Sequence, residues 1–237
     1  QTQSGSAVIT IVSLPTVTIS GTTSICSGST ATVSFNGTPN ATVTYTINSG
    51  PNQTIVLNAT GTASVTTPAL TANSTYALVS ITSSGTPTCS QTQSGNAVIT
   101  IVTLPTATIS GTATICSGAT ATITFNGTPN AIVTYTVNSG PNQTIVLNAA
   151  GTASLTTPAL TANTTYSLVS VAITGSSGCS QTQSGSAILT IAPLPTATIS
   201  GTTSICSGTT ATVSFNGTPN ATVTYTIRGL SAAGCAN

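Results

Sequence analysis

The sequence predicts an all-β protein made of tandem β-sandwich domains, and three observations carry that expectation. The first is strict alternation in Ala41-Thr-Val-Thr-Tyr-Thr-Ile47, with Ala41, Val43, Tyr45 and Ile47 on one side and Thr42, Thr44 and Thr46 on the other. Period-2 alternation marks a half-buried β-strand. The second is recurrence: Gly37–Ile47 returns at Gly127–Val137 with two changes and at Gly217–Ile227 with none, at an offset of 90 each time (127 − 37 and 217 − 127). Self-similarity at a fixed period is the signature of an array. The third is the absence of any helical periodicity between the Gly-, Pro- and Asn-rich turns.

Residues 1–90 and 91–180 differ at 21 positions and share 69 of 90. Val33 becomes Ile123, Ile47 becomes Val137, Val65 becomes Leu155 and Ile81 becomes Val171. Exchanges of this size are what a packed core tolerates. A third copy begins at Gln181 and follows the pattern to Ile227.

The repeat frame and the domain frame differ. Leu14-Pro15, Leu104-Pro105 and Leu194-Pro195 punctuate the array, and proline ends strand pairing. The expected domains are therefore 15–104 and 105–194. Residues 1–14 read as the last strand of a preceding or partner domain, and 195–237 as a partial third domain with a divergent tail. The alternative takes 1–90 and 91–180 as the units. The proline frame is preferred because Ala97-Val-Ile-Thr-Ile-Val102 completes a sheet.

Within 15–104 the expected strands, in order, are 16–19, 30–35, 41–47, 53–58, 63–66, 75–81 and 97–102. Ala31, Val33 and Phe35 point inward from the second. The turn Asn48-Ser-Gly-Pro-Asn52 separates the third from the fourth. Seven short strands in about 90 residues form a sandwich with an apolar inner face and a Thr/Ser outer face. Leu70 and Tyr76, repeated as Leu160 and Tyr166, have the spacing of a tyrosine corner, in which the Tyr hydroxyl bonds upstream backbone; a plain core tyrosine is the alternative.

Composition excludes whole classes of function. There is no Asp, Glu, Lys or His, and Arg228 is the only charged side chain, where an ordinary domain is about 25% charged. No general acid or base and no Ser-His-Asp triad can be assembled. Calcium and magnesium sites lack carboxylate ligands, and zinc would need cysteine alone. One Arg makes no nucleic-acid footprint, and no apolar run reaches the roughly 18 residues of a membrane helix. The expectation is a non-enzyme with no cofactor. The chain opens on Gln1-Thr-Gln-Ser with no signal peptide, as a mature product or a piece of something longer would.

The cysteines are Cys26, Cys89, Cys116, Cys179, Cys206 and Cys235. Cys26 and Cys89, and Cys116 and Cys179, are each 63 apart, so the simplest expectation is one disulfide inside each domain. Free buried thiols and an all-Cys metal site are the alternatives. Cys206 lacks its repeat partner, leaving Cys235 or another chain. Regular disulfides imply an oxidising compartment. Asn36, Asn40, Asn52, Asn58 and Asn73 begin Asn-x-Ser/Thr triplets, a weak glycosylation signal in so Asn- and Thr-rich a chain.

The run Leu-Pro-Thr-x-Thr-Ile-Ser-Gly-Thr-x-x-Ile-Cys-Ser-Gly, with the Gly-Thr-Pro-Asn-Ala strand, resembles tandem immunoglobulin-like, fibronectin III-like or PKD-like repeats. Such repeats occur in very large secreted surface proteins of Bacteroidetes, including adhesin-like and gliding-associated proteins. The resemblance implies extracellular display at the cell surface as a rod, stalk or fibre. Two partner classes follow from the residues. Edge strands carry no blunting charge, so self-association into a homopolymer or lateral bundle is expected. The outer Thr ladders offer a flat face for surface glycan or ice as the alternative.

Overall fold

The computed structural model describes residues 5–175, 178–206 and 208–228. Among these every regular element is a strand. The first unit holds β1 (Val17–Ser20), β2 (Thr23–Cys26), β3 (Thr32–Gly37), β4 (Thr42–Ile47), β5 (Gln53–Val56), β6 (Thr62–Thr66), β7 (Ser74–Thr82), β8 (Ser90–Thr92) and β9 (Asn96–Val102). One sheet has the order β1-β3-β6; the other runs β2-β9-β7-β4-β5, with β8 pairing the end of β7. The pairs are antiparallel except β2 with β9, which is parallel. That two-sheet order, with the first strand divided between sheets, is the immunoglobulin-like all-β sandwich the sequence predicts.

The alternation in β3 and β4 dictates the core, and β7 joins it across a bulge that breaks its own alternation between Leu78 and Ile81. Val17, Val33 and Phe35 from one sheet meet Val43, Tyr45, Tyr76, Ile81 and Ile99 from the other, all buried. Phe35 lies 5.1 Å from Tyr45, which stacks on Tyr76 at 6.2 Å. Aromatic pairs at such distances add about 1 kcal/mol beyond their burial. Thr42, Thr44 and Thr46 fill the opposite face of β4, where neighbouring strands leave them half-buried.

Two strands were not expected. Gly21, at φ 119°, separates β1 from β2, and a Cβ there would lie 2.5 Å from the Thr32 carbonyl oxygen. The kink moves the chain from one sheet to the other, which no periodicity can reveal. β8 stays in the sheet of β9, both pairing β7, with Gly95 at φ 136° between them.

The second unit repeats the plan with β10 (Ala107–Ser110), β11 (Ala113–Cys116), β12 (Thr122–Gly127), β13 (Ile132–Val137), β14 (Gln143–Val146), β15 (Thr152–Thr156), β16 (Thr164–Ala172), β17 (Ser180–Thr182) and β18 (Ser186–Ala192). Its sheets are β10-β12-β15 and β11-β18-β16-β13-β14. A separate core gathers Ile123, Phe125, Val133, Tyr135, Tyr166 and Leu189. In the third copy, β19 (Ala197–Ser200) and β20 (Ser214–Gly217) pair only with each other among the described residues. Residues 5–16 carry no strand, and Val8, Ile9 and Ile11 are exposed. The strand expected of residues 1–14 is that of a preceding or partner domain, whose ladder would satisfy its amides; residues 1–4 lie outside the described residues.

Candidate functional site

The registers define two poles on each sandwich. At the upstream pole of the first unit the chain enters beside β1, where the Thr38 amide donates to the Thr16 carbonyl. β7 ends at this pole, Thr82 opposite Thr42. Cys89 follows directly: the Ser83 amide donates to the Cys89 carbonyl, and the Cys89 amide donates to Ser83 Oγ, each at 2.9 Å. At the downstream pole β9 leaves for the next unit. There Cys26 sits in register with Val102, the Ser27 amide donates to the Val102 carbonyl, and the Gly28 amide donates to the Leu70 carbonyl.

Cys26 and Cys89 therefore occupy opposite ends of one sandwich. β7 alone, at nine residues, spans about 30 Å, whereas a disulfide requires Cα atoms within about 7 Å. The intradomain pairings Cys26–Cys89 and Cys116–Cys179 do not form. The structure instead joins Cys26 to Cys179, with Cα atoms 5.5 Å apart and 153 residues between them in sequence. In the second unit the Ile173 amide donates to the Cys179 carbonyl, as Ser83 does to Cys89, which puts Cys179 at the upstream pole. The bond thus clasps the downstream pole of one unit to the upstream pole of the next. Cys89 and Cys116 remain thiols, as does exposed Cys206; Cys235 lies outside the described residues.

The bond changes its surroundings. Cys179 is 1% exposed, while its repeat equivalent Cys89 is only half-buried. Cys26 is half-buried, while its equivalent Cys116 is exposed. Leu104 in the linker between the units is 37% exposed, and Leu194 at the following boundary 60%. The linker prolines Pro15 and Pro105 are buried; Pro195 is not.

The other predicted residues are structural in their setting. Tyr76 and Tyr166 are core tyrosines, stacked on Tyr45 and lying 6.3 Å from Tyr135 respectively. No hydrogen bond from either hydroxyl to backbone occurs among the described residues. Burial raises the hydroxyl pKa of Tyr76, Tyr135 and Tyr166, and the neighbouring tyrosine adds to it for Tyr76 and Tyr166. Leu70 and Leu160 hold the downstream pole by backbone pairing with Ser29 and Ala119. Asn73 and Asn163 each accept the amide of the last strand, from Ile101 and Ile191, at 2.7 Å. Asn36, Asn40, Asn52, Asn58 and Asn73 are all exposed. On the outer face, Thr54, Thr44, Ser80 and Thr92 lie in register across four strands, forming a short rank of hydroxyls on a twisted sheet.

Among the described residues no group of three or more metal-ligating side chains comes together, and no helix is long and apolar enough to cross a membrane. The sequence signal for the true partner of Cys26 was present but degenerate. In an array of period 90, spacings of 63 and 153 (63 + 90) are equally regular. Only the placement of the two cysteines at opposite poles separates them.

No family model matches the chain, and no curated protein matches it. Solved structures similar to it include a marsupial T cell receptor at 12% identity, with 79% of this chain and 78% of that one covered and a TM-score of 0.49. Another is trypsin-activated alpha-2-macroglobulin from Escherichia coli at 10% identity, with 76% and 16% covered and a TM-score of 0.31. A Salmonella alpha-2-macroglobulin mutant is also 10% identical, with 80% and 17% covered and a TM-score of 0.36. This chain spans less than a fifth of those macroglobulins. Such likeness concerns fold alone. The disulfide independently favours a setting outside the reducing cytosol.

Proposed function

We propose that the chain is an extracellular structural repeat protein: a rod of immunoglobulin-like domains set head to tail, serving as a stalk or fibre at a cell surface. The observation that supports it most directly is the Cys26–Cys179 bond. A disulfide within a domain stabilises that domain. A disulfide between the facing poles of successive domains resists bending and pulling at the joint, which is what a stalk needs. The lack of acid–base side chains argues against catalysis. The inward turn of Phe35, Tyr45 and Tyr76 leaves no aromatic platform on the complete sandwiches for sugar rings. The resemblance to secreted Bacteroidetes repeats agrees with this reading.

Small-angle scattering on the oxidised full chain tests it. Two sandwiches in line extend about 80 Å, with a radius of gyration of about 25 Å or more, whereas a compact particle of this length would give about 18 Å. A value near the lower figure rejects the rod. Binding on a glycan array, or inhibition of ice recrystallisation, would transfer the function to the hydroxyl ranks.

A further inference from the structure

Each complete sandwich carries both halves of a junction, and among the described residues one half on each holds a cysteine that forms no disulfide, Cys89 on the first and Cys116 on the second. The downstream pole of the second unit has the parts that hold Cys26 at the first. Cys116 lies in register with Ala192 as Cys26 does with Val102. The Gly118 amide donates to the Leu160 carbonyl as Gly28 does to Leu70. Ser117, Thr161, Asn163, Ile191 and Leu194 line a shallow depression beside Cys116. The described part of the third copy does not cover it: 194–206 are exposed and β19 pairs only with β20 among the described residues. At the opposite pole of the pair, Cys89 of the first unit accepts the Ser83 amide at its carbonyl as Cys179 accepts that of Ile173 in the bonded junction.

We propose that Cys116 and Cys89 are complementary linking thiols that join copies of this chain end to end. The occupant of the second unit's downstream pole is then the upstream pole of another copy's first unit. It docks as the second unit docks on the first, and Cys116 bonds the partner's Cys89. Two features of the molecule single out this occupant: the repeat-equivalent poles already meet once within the chain, and Cys89 and Cys116 sit at opposite extremes of the paired units, out of reach of one another. The contact is heterologous, so it propagates rather than closes. Forming the bond removes two protons and two electrons, which a low-molecular-weight disulfide such as oxidised glutathione accepts. The Cys116 thiolate attacks one sulfur of the small disulfide and releases one small thiol. The partner's Cys89 thiolate then attacks the Cys116 sulfur and releases the second.

The inference rests on the rod reading, and one experiment separates the two. Full-length chain carrying Cys206→Ser and Cys235→Ser is oxidised in a glutathione redox buffer, then resolved by non-reducing electrophoresis and peptide mapping. A ladder of oligomers is expected, linked through Cys89–Cys116 peptides. Adding Cys89→Ser or Cys116→Ser should abolish the ladder, and mixing those two variants should restore dimers that grow no further. A Cys26–Cys179 peptide in the same digest reports that the internal junction is intact. Monomer alone in the mixture, or a ladder that survives Cys89→Ser, overturns the proposal. If the monomers still scatter as rods, only the end-to-end linkage has failed.

Discussion

Gly37–Ile47 and Gly217–Ile227 are the same eleven residues, yet the structure treats them differently. In the first unit they end β3 and form β4, with Phe35, just before them, 1% exposed and Tyr45 6% exposed. In the third copy the equivalent Phe215 and Tyr225 are 41% and 59% exposed, and residues 221–227 belong to no strand. The aromatic pair itself survives, with ring centroids 5.1 Å apart in both places. Local sequence therefore fixes the turn and the ring contact, while the strand needs β5 and β7 on its flanks. β4 takes its hydrogen bonds from Gln53–Val56 on one side and from 76–82 on the other, and the described part of the third copy offers neither.

The largest test supplies what is missing. Replacing 228–237 by a copy of residues 48–104 should turn 222–227 into a strand. Amide exchange there should slow from nearly unprotected by about a thousandfold or more, since local opening would then approach global unfolding. Exchange that stays fast would show that the difference lies within the eleven residues after all.

A core truncation should separate the two copies next. Phe35→Ala removes a fully buried ring and should cost about 3–5 kcal/mol in urea unfolding of the first unit. Phe215→Ala removes an exposed one and should stay within about 0.5 kcal/mol. Equal costs would mean that the third copy has a core of its own.

A third test concerns the residue at which the copies diverge. Asn48 has φ 51°, its amide donates to the Thr75 carbonyl, and its Oδ1 accepts the Thr75 amide, both at 2.8 Å. Asn138 does the same with Thr165, and the third copy has Arg228 there. Asn48→Arg gives the first unit the third copy's residue, loses the side-chain bond and strains the backbone, so it should destabilise that unit by about 2 kcal/mol in urea. No change would remove Asn48 from the requirements of the β4–β7 junction.

The smallest effect is expected from acid. Without Asp, Glu, His or Lys, almost nothing binds protons differently on folding between about pH 4.5 and 7, and thermal midpoints should be flat there. The alkaline side differs. Tyr76, Tyr135 and Tyr166 have raised pKa values when folded, because burial disfavours phenolate. Their contribution is complete below the unfolded value near 10 and is lost as pH rises through it toward the folded values. The two complete sandwiches should therefore lose stability above about pH 10. A midpoint that falls steeply on acidification would point to a coupled group outside these residues.

The sequence by itself determined the all-β class, the 90-residue period, the inward and outward faces of β3 and β4, and the near-absence of charge. Each is a local property: alternation follows from the pleat, and composition needs no fold at all. It did not reveal β2, because a glycine kink that hands a strand to the other sheet leaves no periodic trace, or β8, because Ser90-Gln-Thr92 is too short and too polar to show alternation. Nor did it determine the disulfide. A repeat makes every cysteine spacing ambiguous by 90, and the choice between a neighbour at 63 and one at 153 depends on which pole each cysteine occupies. The tertiary structure decided that, because β7 is long enough to hold Cys26 and Cys89 apart, and the head-to-tail order of the sandwiches brings Cys179 to Cys26 instead.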